Sequence, residues 1–298
     1  MGKASTYTRG GTFGALFFWT PLTALLLFGI LPFLVVAVQS VTELDINGRW
    51  STSMSLDAYR ELAASYRLAM FSQVVVRSVL VATIDTVIAL PIAFALFRLL
   101  GPSTRMICLA LFTLPFLSSD ATRAFGWTTV LGRHGLVNEI LMGLGICRVP
   151  LGGLIYGEAP VNLALVSGSL SFAVFIVSGS LATFPSNVWR VSRDFGISCG
   201  TELVNIVIPI AAPAILLAWI TCFVVTVGST CEVAALGGPH QVSLGGIIDG
   251  LESARRITAV FALCSMAGSA ILLAIGTVPL VTKVSSMVTH SSTQRRVE

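Results

Sequence analysis

The chain has 298 residues, 55% hydrophobic and only 11% charged, with a net charge of +4 at pH 7 and a mean hydropathy of +0.89. A soluble domain carries about 25% charged residues, so this composition excludes an ordinary water-soluble globule and points to a membrane protein. The charge is small and dispersed, with no basic block suited to nucleic acid and no acidic tail.

A membrane-spanning helix needs about 20 apolar residues. The first apolar run, 13–41, is longer than the core of a signal peptide and lacks a convincing cleavage site, so it reads as a span. The polar stretch that follows, "TELDINGRWSTSMSLDAYRELAASYR", must lie outside the bilayer, and its "SLDAYREL" has the start signals of a short surface helix. A second span covers 70–97, and "RLLGPSTR" (98–105) makes a turn. The run "MICLALFTLPFL" (106–117) is too short to cross alone. It either continues through "SSDATRAFGWTTVL" or breaks near Pro115, which irregular backbone permits only under cover of protein or a watery cavity.

Residues 132–150 read as an amphipathic surface element, and further spans are expected at 152–182, 206–231 and 257–281. Pro91 and Pro213 fall inside spans and are expected to kink them. Six crossings put both ends on one side. Lysine and arginine are denser on the segments that share a side with the termini, which favours cytoplasmic termini. Residues 183–205 are then a cytoplasmic loop.

Chemistry-bearing motifs are sparse. The six cysteines, at 108, 147, 199, 222, 231 and 264, show no CxxC spacing and read as small apolar packing residues. His134, His240 and His290 match no ligand pattern, so no metal site is expected. The sequence has no phosphate-cradling GxxxxGK[ST], no GxSxG and no HExxH. The opening "MGKAST" fits a myristoylation pattern too short to carry weight in a multi-spanning protein.

The polar segment "FPSNVWRVSRDFGISCG" (184–200) stands out among greasy neighbours. Pro185, Ser186 and Asn187 supply helix-start chemistry. Val188, Val191, Phe195 and Cys199 recur at helical spacing as one apolar stripe. Arg190 and Asp194 could pair at i, i+4, and Gly196 and Gly200 permit a stop or sharp turn. Such a knob is either a docking element for a partner's groove or a solvated connector.

This segment resembles the cytoplasmic "EAA" signature of importer-type ABC transporter permeases: Glu-Ala-Ala, three residues, Gly, nine residues, Ile, one residue, Leu-Pro. Gly196 takes the glycine position, followed at the right spacing by Ile206, Ile208 in place of leucine, and Pro209. The Glu-Ala-Ala positions hold Arg190, Val191 and Ser192, a departure from the pattern. "RDFGIS" is similar to the "RDLGAS" of polyamine-carrying members. "RSVLVATIDTVIALPIAF" (77–94), "RAFGWTTVLGRHGLVNEIL" (123–141) and "ALGGP" (235–239) resemble further family stretches in the right order, and the likeness covers roughly 55–285. The chain is similar to the spermidine/putrescine type of importer permease, whose relatives also carry opines, phosphonates, sulfate or ferric iron.

The resemblance implies an all-α integral membrane permease of about six spans, one transmembrane domain over 1–298 with its core at about 68–285 and a coupling loop at 185–203. It implies a non-catalytic subunit in a bacterial inner membrane that forms half of a translocation pathway. A second permease subunit, two cytoplasmic ATPase subunits that bind the ATP and magnesium, and an extracytoplasmic binding protein are the implied partners. The chain itself is expected to hold no cofactor. The coupling contacts fall on Val188, Arg190, Val191, Asp194, Phe195 and Gly196. With the family glutamate replaced by Arg190, docking is expected to rest on Val188, Val191 and Phe195, with Asp194 supplying the acid.

Ionisable groups at bilayer depth are functional candidates. Arg77 can snorkel toward the outer interface. Asp85, near mid-span, either lines the pathway or makes a buried interhelical hydrogen bond. Glu232, at the end of the fifth span, is either a cation-attracting carboxylate at the outer mouth or a solvated helix end; Asp120 and Glu158 are weaker versions of the same case. Trp127 offers a face for an alkyl ammonium or an interfacial anchor. Two other classes fit less well. A secondary transporter would favour an inverted repeat, and a membrane enzyme needs a catalytic set; neither is visible.

Overall fold

The computed structural model describes residues 19–21, 23–44 and 50–277, with side-chain detail for these apart from 43, 44, 50–52, 186–188, 193 and 240. Among the described residues, five helices are long and apolar enough to cross a membrane: Trp19–Gln39, Tyr66–Arg98, Glu158–Ala182, Cys199–Gly228 and Ile257–Gly276. By contact the chain divides into two compact units, 1–65 with 251–270, and 66–250 with 271–298.

In the first unit, helix α1 (Trp19–Gln39) is apolar around its whole circumference, with Phe28, Phe33 and Leu34 exposed, as a lipid-facing helix should be. It ends at Ser40, whose hydroxyl bonds Ala37 O at 2.7 Å and shares a hydrogen bond with Tyr59 at 2.8 Å. Tyr59 lies on α2 (Asp57–Ala64), the surface helix expected from "SLDAYREL". The Asp57 N–H donates to Ser55 Oγ at 3.0 Å, and Leu62 buries the inner face. Between α1 and α2 the chain makes an antiparallel ribbon, β1 (Thr42–Leu44) and β2 (Trp50–Met54), which the polar sequence did not announce. An ion pair joins Glu61 to Arg256.

The second unit is built on α3 (Tyr66–Arg98). Next come α4 (Pro102–Leu111), α5 (Leu114–Leu117) and α6 (Asp120–Leu131), then the surface helix α7 (Leu136–Gly143). The run at 102–131 therefore breaks on both sides of Pro115. Pro102 opens α4 where a missing N–H costs nothing, and Ser119 caps α6 by accepting from the Thr122 N–H at 3.2 Å. Gly135 sits so tightly in the α6–α7 turn that a Cβ would lie 2.5 Å from Thr129 O.

Three long helices form the core: α3, α8 (Glu158–Ala182) and, beyond the short α9 (Ser186–Asp194), α10 (Cys199–Gly228). Ala82, Ala89, Ala93, Ala173, Ala211 and Ala218 are buried where these helices meet. Small residues let membrane helices approach closely, because packing rather than water exclusion drives their association. A π-helical turn at Leu203–Val207 follows the first turn of α10, just ahead of Pro209, which has no N–H to donate. Then come α11 (Cys231–Leu236) and α12 (Leu244–Ser253); α13 (Ile257–Gly276), most of which belongs to the first unit, is the last described helix.

Several boundaries differ from the sequence reading. The fourth crossing starts at Glu158, since Gly152–Leu154 is a separate 3-10 turn. The fifth stops at Gly228, so Glu232 belongs to the first turn of α11 rather than to a span's end. Within 132–150 only Leu136–Gly143 is helical. Residues 278–281 of the sixth span, and 13–18 of the first, lie outside the described residues.

Candidate functional site

Helix α9 carries the segment singled out by sequence. Its end is a glycine-terminated cap: Gly196 adopts φ +64°, and the Ile197 N–H returns to Ser192 O at 3.1 Å. The expected stripe is therefore cut. Cys199 belongs to α10, whose first turn Ser198 caps by accepting from the Thr201 N–H. Trp189 and Ser192 face inward. On the outer side Val191 is 49% and Phe195 78% exposed, and Arg190, Asp194 and Gly196 are exposed too. The i, i+4 pair open to Arg190 and Asp194 is not among the ion pairs formed by the described residues. The Val188 side chain lies outside the described ones. The result is an apolar knob with charged flanks, at the turn between two long helices.

The base of this knob holds a pair that sequence reading missed. Arg98, the last residue of α3, donates through Nε to Glu202 Oε2 at 2.8 Å, and Glu202 is wholly buried. Both acids of the 185–203 loop were visible in the sequence, but only Asp194 was assigned a role.

The candidates for a pathway are placed differently from one another. Asp85 is fully buried, and the Ser169 hydroxyl of α8 donates to it. Cys222 of α10 donates to Ser169 O at 3.4 Å, so Asp85 lies where α3, α8 and α10 meet. This is the interhelical bond that was the alternative to a pathway role. Trp127 donates from Nε1 to Ser167 Oγ of α8 at 2.8 Å, which fixes its ring against that helix.

Glu232 is neither solvated nor free. It is 1% exposed, and its Oε1 takes Arg123 Nη2 at 2.9 Å. The same guanidinium reaches Asp120 Oδ1 at 2.7 Å, Ser118 O at 3.2 Å and Pro115 O at 3.3 Å. Burial lifts the Glu232 carboxyl above the ordinary carboxylate range, and its bonds, that to Arg123 among them, oppose the rise. Arg123 thus satisfies the carbonyls freed where α5 ends, as irregular backbone away from water requires. It lies flat against Gly168, where a Cβ would come within 3.0 Å of Nη2. The signal for Arg123 was its place at the head of "RAFGW"; its long-range partner was not readable.

Arg77 bonds Val242 O at 3.2 Å and the Gln241 side chain, holding the 241–243 segment. It borders a cavity of about 230 Å³ with Gln73, Glu158 and Asn162. Another, of about 380 Å³, is lined by Tyr66, Arg67, Gln241 and Ser243 among others. None of Asp85, Asp120, Trp127 or Glu232 lines either cavity. Among the described residues no group of three His, Cys, Asp or Glu could hold a metal ion.

Set against known proteins, this arrangement has counterparts. No family model matches the chain. The spermidine/putrescine transport system permease protein PotB of Haemophilus influenzae is 24% identical over 228 residues, covering 75% of this chain and 78% of that protein. PotB of Escherichia coli is 25% identical over 228 residues, covering 75% and 81%. The thiamine transport system permease protein ThiP of Brucella abortus is 25% identical over 198 residues, 66% of this chain and 35% of that protein. Among solved structures, a chain of a bacterial ABC transporter that imports the acidic polysaccharide alginate superposes with a TM-score of 0.68 at 15% identity, covering 93% of this chain and 96% of its own. The same type of transporter bound to an alginate pentasaccharide-loaded periplasmic protein gives 0.65, covering 94% and 96%. This fold is that of an ABC importer permease. The helical permease fold expected from the sequence is the one observed, with five span-length helices among the described residues, and the chain is similar in sequence to transport permeases.

Proposed function

We propose that this chain forms half of the translocation pathway of an ATP-driven importer in a bacterial inner membrane, with both termini and α9 on the cytoplasmic side. One observation carries the reading: α9 offers Val191 and Phe195 to solvent beside a glycine-capped end, between α8 and α10. Exposed apolar side chains on a short helix suit a partner's groove. The partner is a cytoplasmic ATPase subunit, two of which bind ATP and magnesium for the pair of permeases. An extracytoplasmic binding protein delivers the solute. This chain performs no bond chemistry of its own.

The solute is a polyamine or a related organic cation. Support comes from the relatives, which are named as transport permeases for spermidine and putrescine and for thiamine. It does not come from Asp85 and Glu232, because both carboxylates are buried and engaged with neighbours of the same chain. The test is purification of the complex through a tag on this chain, followed by spermidine uptake into proteoliposomes with and without ATP. Recovery of an ATPase and a second permease, with uptake only when ATP is present, is the expected result. Uptake driven by an ion gradient without ATP would instead make the chain a secondary carrier.

A further inference from the structure

The last turn of α3 is held at two points by the loop that carries α9, and the points lie on opposite sides of Gly196. Phe94 and Arg98 are four residues apart and share one face of α3. Before the glycine, Trp189 meets Phe94 with ring centroids 6.1 Å apart and stacks on Phe184 at 5.9 Å. After it, Glu202 takes the Arg98 Nε–H at 2.8 Å. Phe94, Trp189 and Glu202 are all buried, and among the described residues the second oxygen of Glu202 has no hydrogen-bond partner, so Arg98 is the group seen to compensate that carboxylate.

We infer that Phe94 and Arg98 form a two-point grip by which the α9 loop moves α3, with Arg98–Glu202 as its positioning pair. The inference rests on the importer reading above. Chain continuity connects α9 only to α8 and α10, and both connections are turns, one of them at the left-handed Gly196. A push on α9 reaches α3 only through side chains. A buried ion pair is a poor source of stability but a good means of fixing register, because either charge left alone is strongly disfavoured. The aromatic contact resists compression as any packed interior does. Together the two contacts bridge the glycine turn, so α9, the start of α10 and the end of α3 move as one piece. Motion at the knob thereby enters all three core helices rather than the two that flank it.

The test uses the full complex in lipid nanodiscs, with spin labels at Leu99→Cys and the native Cys199 and the remaining cysteines replaced by serine. A second pair joins Cys199 to Leu163→Cys on α8. Between nucleotide-free and Mg-ATP-vanadate states, the 99–199 distance stays constant while the 163–199 distance changes. Glu202→Gln broadens the 99–199 distribution and lowers spermidine uptake per ATP hydrolysed by roughly tenfold, the scale on which packed contacts modulate coupling. Arg98→Lys in the otherwise unsubstituted chain, which keeps the charge opposite Glu202, retains most of the parental ratio. A 99–199 distance that shifts in the unsubstituted loop, or a 163–199 distance that never changes, would overturn the grip. So would a Glu202→Gln complex that assembles less but transports normally per ATP, which marks a merely structural pair. A chain that recruits no ATPase would sink the importer reading and the grip with it. A complex that cycles while α3 fails to follow sinks the grip alone.

Discussion

Arg123 and Glu232, 109 residues apart in the chain, meet at 2.9 Å with Glu232 almost wholly buried. The pair ties the broken segment 112–119 to α11, and Arg123 also serves two backbone carbonyls and Asp120. Removing one member strands the other. Arg123→Ala is expected to destabilise the purified chain by about 3–5 kcal/mol, the usual cost of leaving a buried partner uncompensated. Arg123→Met with Glu232→Met should recover much of the loss. Thermal unfolding in detergent measures both, and an Arg123→Ala melting curve superposable on the parent would refute this view of the pair.

Phe195 makes the opposite case, since its side chain is exposed and its replacement costs the fold little. As the apolar centre of a docking helix it should behave as a hot spot, worth about 2 kcal/mol or more to the partner. Phe195→Ala is expected to leave the melting temperature unchanged and to weaken recovery of the ATPase at least about tenfold in affinity. Full recovery with normal coupling would show that the knob docks nothing.

Gly196 has open space where a Cβ would stand, so only its φ of +64° opposes substitution. Gly196→Val should cost about 1–2 kcal/mol, and Gly196→Asn less, because asparagine tolerates the left-handed region. Chemical denaturation checks the order. Equal costs for both would mean that the turn relaxes to another conformation.

Asp85 separates a structural carboxylate from one in the path. Asp85→Asn retains an acceptor for Ser169 and is expected to leave spermidine uptake and its KM unchanged. Asp85→Ala loses that bond at a helix junction and should lower stability by about 1–3 kcal/mol. A raised KM in a well-assembled Asp85→Asn complex would return the residue to the pathway.

These residues also mark how far the sequence could be read. The long apolar runs and the helical spacing of Val191 and Phe195 are local signals, so the spans and α9 were legible, whereas the break near Pro115 was only one of two courses the sequence left open. Gly196 was legible as a stop, although the stripe was carried one turn too far, to Cys199. The partners Arg98–Glu202, Asp85–Ser169 and Arg123–Glu232 lie 104, 84 and 109 residues apart. Each depends on the rotation and register of two helices, which hydrophobicity leaves open. Glu232 looked like a cation-attracting carboxylate at the outer mouth or a solvated helix end because nothing near it in sequence neutralises it. The ribbon at 42–54 was missed because its strands are short and polar.

What α9 touches in the membrane of a living cell decides whether this chain works with an ATPase. A photo-crosslinking amino acid in place of Phe195 tests this most directly. The expected product joins this chain to a cytoplasmic ATPase subunit, with no labelling of that position by impermeant reagents applied outside the cell. Modification from outside, or irradiation that yields lipid adducts alone, would contradict it.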